Sequence, residues 1–310
     1  MFKIFGSRDL ASNCPIRLGL GGDHGLGFRA MVRNLHRPQA YYRDRHLYQP
    51  PQQLEVSIWL GTQTIQPVLI QSWSIQKAGN QLTECEDAWA YGDRLGGIAI
   101  ADGATESSFA KEWAQLLVSR FVQDLPNGEQ VTAWIQALQV DWLRWLSHQE
   151  LAWFAKRKAA AGAFATFLGL RFSQQEDQAI GWRAIAVGDA CLFVVRDRQL
   201  NLAFPKTSSL GFNNTPALLG THRNTNPDYF LKVQGKAQVG DRFYLATDAI
   251  SCWIWRQIED QQDPWVHLEQ LNSQIQFADW ITDLRDRGAI VNDDTTLLCI
   301  EMQGASVAGK

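Results

Sequence analysis

Acidic residues recur in this chain where apolar, β-prone runs end. Asp102 closes the run GGIAIA and is followed at once by Gly103. Asp189 follows WRAIAVG, Asp248 follows FYLAT, Asn292-Asp293-Asp294 stands immediately before TTLLCIEM, and Glu86-Asp87 leads into AWAY. Singly, each acid has an ordinary reading. Asp-Gly is a common turn pair and Asp a good helix N-cap, so Asp102 alone reads more readily as a turn or a cap than as a functional group. Jointly the acids ask for more. If those strand ends converge, the carboxylates cannot all remain charged unless cations bind, because each unpaired, desolvated carboxylate costs on the order of several kcal/mol. An all-oxygen set without cysteine or paired histidine favours hard ions, Mg²⁺ or Mn²⁺, over zinc or copper.

Other chemistries find no footing. The six histidines are scattered, no HExxH occurs, and no Ser/His/Asp or Cys/His arrangement is apparent. The glycine-rich GLGGDHGLG (19–27) has no strand before it and no Gly-Lys-Ser/Thr after it, and His24 stands where a dinucleotide loop needs glycine, so it reads as a flexible loop. The five cysteines (Cys14, Cys85, Cys191, Cys252, Cys299) are far apart and form no CxxC pair, which points away from a disulfide framework or a zinc site and toward a reducing, cytoplasmic setting.

The elements that must position the acids follow from periodicity. Residues 1–64 lack a sustained period and read as an irregular N-terminal extension. The regular domain spans 65–303, with a short tail over 304–310. Strand-like runs at PVLIQSWSI, AWAY and GGIAIA come first. An amphipathic helix over Ser107 to Gln123 follows, with apolar positions at Phe109, Trp113, Leu116, Leu117 and Phe121, and then a second over Gln130 to Lys158. The tryptophans of that second segment (Trp134, Trp142, Trp145, Trp153) read as core rather than as a binding face. Strands resume with AFATFLGLRF, WRAIAVGD, ACLFVV and DRFYLATD. A further helix over Pro264 to Arg287 leads to the last strand, TTLLCIEM. This order, without regular βα alternation, predicts an α+β fold of antiparallel sheets packed as a sandwich with helices outside.

Composition bounds the rest. A chain of 310 residues, 45% of them apolar, can bury a large core. A net charge of −3 argues against a nucleic-acid partner. The N-terminus MFKIFGSRDL has no apolar core of signal-peptide length, and the longest mainly apolar run, Ala159 to Leu170, is too short to span a bilayer, so no membrane partner is expected.

Taken in order, Glu86-Asp87-Ala88, Asp102-Gly103, Gly188-Asp189, Thr247-Asp248 and Asp293-Asp294-Thr295-Thr296 resemble the motifs of the metal-dependent serine/threonine protein phosphatases of type 2C, over roughly residues 66 to 303. The phrases CEDAW, FPKTSSLGFNNTPALLGT and LATDAISCW look most like a divergent bacterial branch of that family. The resemblance implies a central antiparallel β-sandwich flanked by helix layers, with a two-metal site of Mg²⁺ or Mn²⁺ at one edge. It implies that Asp102 bridges both metals, that the Gly103 carbonyl holds the second, and that Asp248 and Asp293 hold the first. Glu86 and Asp87 then orient metal-bound water, and Asp189 matches an acid that helps bind a third metal in relatives. In that chemistry two divalent ions acidify a shared water and neutralise the phosphoryl oxygens for in-line attack on phosphorus. Of the adjacent pair, the family pattern makes Asp293 the ligand. Asp294 then lies outside the coordination shell, bonding local backbone amides.

The chain departs from the family at three points. Leu82 stands where many members carry an Arg that grips phosphate, Ala104 replaces a common histidine or methionine, and Cys252 replaces an acid. Lys77 and Arg94 are nearby cations that could take over the first role. The leading expectation is a phosphoserine or phosphothreonine phosphatase acting on a phosphoprotein. A catalytically weak regulatory module that binds a phosphoprotein or a partner kinase is the alternative, and a hydrolase of small phosphoesters a third reading.

Overall fold

The computed structural model describes residues 52–59, 64–92, 97–124, 126, 130–175, 179–213, 215–222 and 229–304. In chain order the elements are β1 (Gln52–Trp59), β2 (Thr64–Ile75), β3 (Ala88–Gly92), β4 (Gly97–Ala101), α1 (Ala110–Asp124), α2 (Val131–Ser147) and α3 (Trp153–Ala160). Next come β5 (Phe164–Ala165), β6 (Phe167–Gln174), β7 (Ile180–Val187), β8 (Cys191–Arg196), β9 (Gln199–Phe204), β10 (Leu219–Gly220) and β11 (Leu231–Ala237). The chain closes with β12 (Arg242–Ala246), α4 (Asp248–Glu259), α5 (Trp265–Gln270), α6 (Gln274–Asp286) and β13 (Thr295–Met302).

Two antiparallel sheets form the centre. One has the order β1-β2-β13-β12-β8-β9, the other β11-β7-β6-β4-β3, and β5 pairs with β10 in a small separate ladder. Both faces of each large sheet are covered, which explains why the central strands read as continuous apolar runs rather than alternating ones. In β12, Phe243 and Leu245 point between the sheets with Ile98, Leu168, Phe172 and Trp182. Their neighbours Tyr244 and Ala246 face outward, against Ile250 and Trp253 of α4, Trp265 of α5 and Phe277 of α6. On the other side Ala99, Ala101 and Phe167 pack under Trp113, Leu117 and Phe121 of α1 and Trp134, Leu138 and Trp142 of α2. The result is the expected four-layer αββα arrangement.

Several details differ from the sequence reading. The strand β1 lies within the stretch read as irregular, where LEVSIW alternates well enough to pair with β2. Residues 1–51, including the 19–27 glycine segment, lie outside the described residues, as do the tail residues 305–310 and Arg94. The long helix expected over Gln130 to Lys158 is two helices broken after Ser147. Trp134 and Trp142 are core, whereas Trp153, beyond the break, is 77% exposed. The helix expected from Pro264 is likewise two, α5 and α6, and α4 went unforeseen. Among the described residues no helix is long and apolar enough to cross a membrane.

Candidate metal-binding active site

Strand register brings the acids to one end of the sandwich. Ala88 pairs with Ala101, so Asp87, just before β3, and Asp102, just after β4, lie side by side. Phe167 pairs with Val187, and Gly188 turns the chain at φ +99° to deliver Asp189 at that same end. A side chain is excluded at Gly188 by this backbone and also by Thr166, whose Cγ2 would lie 2.7 Å from an added Cβ. In the other sheet Ala246 pairs with both Cys191 and Leu297, so Asp248 and the Asp293-Asp294 pair flank the matching end.

A hydrogen bond joins the two sheets across the site: the Thr247 hydroxyl donates to Asp87 Oδ2 at 3.2 Å, while Asp87 Oδ1 is buried without a protein partner. Asp102 continues into Gly103, whose amide donates to the Glu86 carbonyl at 3.3 Å. A Cβ at Gly103 would sit 2.9 Å from the backbone of Ala110, so the close approach that demands glycine here is to the start of α1. Asp102 does not cap that helix, which begins eight residues later.

Electrostatics show how near the carboxylates are to one another. Burial, then the charges of Asp87, Asp248, Asp293 and Asp189, push the Asp102 carboxyl well above the ordinary range. Asp87 is raised by burial and by Asp294 and Asp248. Asp248 rises to about 7 through burial, Asp189 and Asp293, partly offset by the Ala249 amide, which donates to its Oδ1 at 2.5 Å. Asp189 rises to about 6 through burial, opposed by the charge of Lys206. Glu86 is raised by burial and by Asp294, Asp293 and Glu112, against a stabilising hydrogen bond from Thr105. Every acid singled out in the sequence thus takes part in one mutually repelling cluster.

This donor set suits a hard divalent cation: it is made of oxygens, its charges are in excess, and the buried Asp87 Oδ1 lacks a donor. Among the described residues no three His, Cys, Asp or Glu side chains are drawn together tightly enough to grip an ion. Asp248 and Asp293 instead accept from the amides of the residues that follow them, Ala249 and Asp294.

Asp294 behaves differently from its neighbour, and over a longer range than expected. It is buried, and its two oxygens accept from the Lys77 amide at 2.7 Å and the Glu86 amide at 2.6 Å, more than two hundred residues away in the chain. Lys77 therefore meets the site through its backbone. Three further residues had no sequence signal, because each reaches the cluster from a distant element. Lys206 stands near Asp189, and Lys111 of α1 near Glu86 and Asp294. Arg285 of α6 donates to the Asp293 carbonyl at 2.6 Å and the Gln76 carbonyl at 3.0 Å, bracing the segment that carries the pair.

The family model of protein phosphatase 2C matches residues 79–294, a span that contains all of these acids. The chain belongs to the protein phosphatase 2C family. Solved structures agree on the fold. The serine/threonine phosphatase PstP/Ppp of Mycobacterium tuberculosis superposes with a TM-score of 0.53 at 16% identity, covering 76% of this chain and 99% of that one. Serine/threonine phosphatase Stp1 of Staphylococcus aureus gives 0.54 at 13% identity, covering 80% and 98%. The photosystem II phosphatase PBCP gives 0.50 at 14%, covering 76% and 99%. No curated protein matches the chain by sequence. At these identities the structures establish the protein phosphatase 2C architecture and nothing finer.

Proposed function

We propose that this protein phosphatase 2C family member is a Mg²⁺- or Mn²⁺-dependent hydrolase of phosphoserine or phosphothreonine in a phosphoprotein. One observation carries the reading: strand register brings Asp87, Asp102, Asp189, Asp248 and Asp293, from two different sheets, to one end of the sandwich, where the charges of the other four raise the proton affinity of Asp102. Such crowding is relieved by cations. In this reading Asp102, the Gly103 carbonyl, Asp248 and Asp293 hold two ions, and Asp189 lies beside a third. Those ions supply neutralisation of phosphoryl oxygens and an acidified water. The chain's residues do the positioning. Thr247 fixes Asp87 through Oδ2, and Asp294 fixes the Glu86 backbone, so both members of the Glu86-Asp87 pair are held to orient water toward phosphorus. Turnover of p-nitrophenyl phosphate and of a phosphothreonine peptide with Mn²⁺, abolished by chelator and by Asp102→Ala, tests the reading. No turnover with either substrate across Mg²⁺ and Mn²⁺ overturns it.

A second reading rests on Leu82, which is 49% exposed at the position where many relatives carry the phosphate-gripping Arg. It makes the chain a weakly catalytic module that binds a phosphoprotein or a kinase. Leu82→Arg then raises turnover of p-nitrophenyl phosphate by tenfold or more; an already high wild-type rate excludes this second reading.

A further inference from the structure

A cleft of about 330 Å³ opens beside the acid cluster. Its lining includes Ala104, Glu106 and Ser107, just downstream of Asp102, together with Lys158 and Phe164. Lys158 belongs to the last turn of α3, where Lys156, Arg157 and Lys158 run consecutively and all three are exposed. Among the described residues none of the three takes part in an ion pair. At the other end of the helix Trp153 and Phe154 are 77% and 58% exposed, with their rings edge to face at 6.1 Å. Phe154 precedes Lys158 by one helical turn, so an aromatic ring and the ammonium of the cleft share one side of α3. Two large exposed rings beside three cations that make no ion pair among the described residues, on a chain whose net charge is −3, mark an interaction surface rather than a solvating one.

We propose that α3 and this cleft form the docking surface for the acidic, partly apolar polypeptide that flanks the phosphorylated residue of the substrate. The inference rests on the phosphatase reading and deepens it by naming the substrate class. Charge complementarity selects the occupant: α3 carries Lys156, Arg157 and Lys158, of which Lys158 lines the cleft, and Glu106 is the single carboxylate among the lining residues. The chain's own residues 1–51 make a poor occupant, since they carry eight Arg or Lys against three Asp and meet like charge. A flat anionic membrane could use Trp153, Phe154 and the outer cations, but it would leave the concave cleft, with Ser107 and Lys158, unfilled. A peptide whose phosphoryl group reaches the acid cluster lays its neighbouring residues along that cleft, so Lys158 meets its acids and Phe154 its apolar side chains.

The test uses the full chain with three substrates: a phosphothreonine peptide flanked by Asp, Glu and Leu, the same peptide with neutral flanks, and p-nitrophenyl phosphate. The wild type is expected to favour the acidic peptide over the neutral one at least tenfold in kcat/KM. In Lys156→Glu/Arg157→Glu/Lys158→Glu that preference disappears, and the ratio of acidic-peptide to p-nitrophenyl phosphate kcat/KM falls at least tenfold. Lys156→Ala/Arg157→Ala/Lys158→Ala, a milder change on exposed positions, gives the same direction. No acidic preference in the wild type, or equal loss on all substrates, overturns the proposal. If the wild type turns over none of them, the phosphatase reading has failed by itself, and fluorescence anisotropy of the labelled peptides decides docking. Acid-selective binding lost in the variants upholds it, and unselective or absent binding overturns it. Sedimentation with phosphatidylserine vesicles, lost in the variants and without peptide selectivity, assigns the surface to a membrane and overturns it as well.

Discussion

Asp294 holds Glu86 by its backbone: the carboxylate Oδ2 accepts the Glu86 amide at 2.6 Å while Oδ1 takes the Lys77 amide at 2.7 Å. The last strand thus grips the loop that leads into β3 and fixes where Glu86 and Asp87 begin. Its neighbour Asp293 makes no such long-range clasp, and its charge instead bears on Glu86, Asp102 and Asp248. Different losses are therefore expected from the two. Asp294→Asn converts one acceptor into a donor facing an N–H, which should lower stability by about 1.5 to 3 kcal/mol. Asp293→Asn should leave the melting temperature nearly unchanged while reducing Mn²⁺-dependent turnover by roughly two orders of magnitude or more. Thermal melts and p-nitrophenyl phosphate kinetics on both variants check this; the opposite pairing of effects would exchange the two roles.

Asp102 is the most crowded of the acids. Replacing it with Asn removes a charge that four neighbours repel, so the metal-free protein should gain about 1 kcal/mol, or roughly 2 to 4 °C in melting temperature. The rise in melting temperature that Mn²⁺ gives the wild type should vanish in the same variant. A variant that melts lower than the wild type without metal would show that Asp102 is held by donors rather than opposed by acids.

The raised carboxyls fix the direction of the pH dependence. Asp248 keeps its proton up to about 7 and Asp189 up to about 6, against 3.8 for an ordinary aspartate. Between about pH 4 and about pH 7 the unfolded chain consequently holds fewer protons than the folded one, and metal-free stability falls as pH rises. Calorimetry across this window in the presence of chelator should show the decline, with a shallower slope in Asp248→Asn. Excess Mn²⁺ should offset the decline most at the upper end, where protons compete least with the ion.

Gly103 admits no side chain. An added Cβ meets the carbonyl carbon and Cβ of Ala110, each at 2.9 Å, so Gly103→Ala should displace the start of α1 from the end of β4 and cost about 1 to 3 kcal/mol. Gly103 does not lie in the left-handed region, so this loss comes from packing. A Gly103→Ala variant as stable as the wild type would refute the packing argument.

The acids were legible in the sequence because each stands at one end of an apolar run, and such a run bounded by turn residues tells where a strand begins and stops. The antiparallel sandwich was legible for the same reason. The break between α2 and α3 was not: Trp145, Trp153 and the residues between them keep enough apolar character to extend a helical stripe across Ser147. The helix α4 was hidden because DAISCWIW, buried against the sheet, reads as well for a strand as for a helix. Lys111, Lys206 and Arg285 could not be found, since spacing along the chain carries no trace of contacts that cross more than one element. Asp294 was read as bonding its immediate surroundings, whereas burial drives it to satisfy amides left without a ladder partner beyond the end of β2 and before β3.

The Thr247 to Asp87 contact spans the gap between two separately hydrogen-bonded sheets, and most of the acids lie on one side or the other of that gap. Among the described residues no ladder bond crosses it; between the sheets the interior is apolar and indifferent to direction. The acid-bearing edge is therefore the seam of the molecule, and repulsion across it works to part the two halves there. In the two-metal reading, an ion held by Asp102 and Asp248 would act as a rivet through that seam. Loading the protein with Mn²⁺ should accordingly slow amide hydrogen exchange in β4 and β12 together, as one opening unit, although the two strands belong to different sheets.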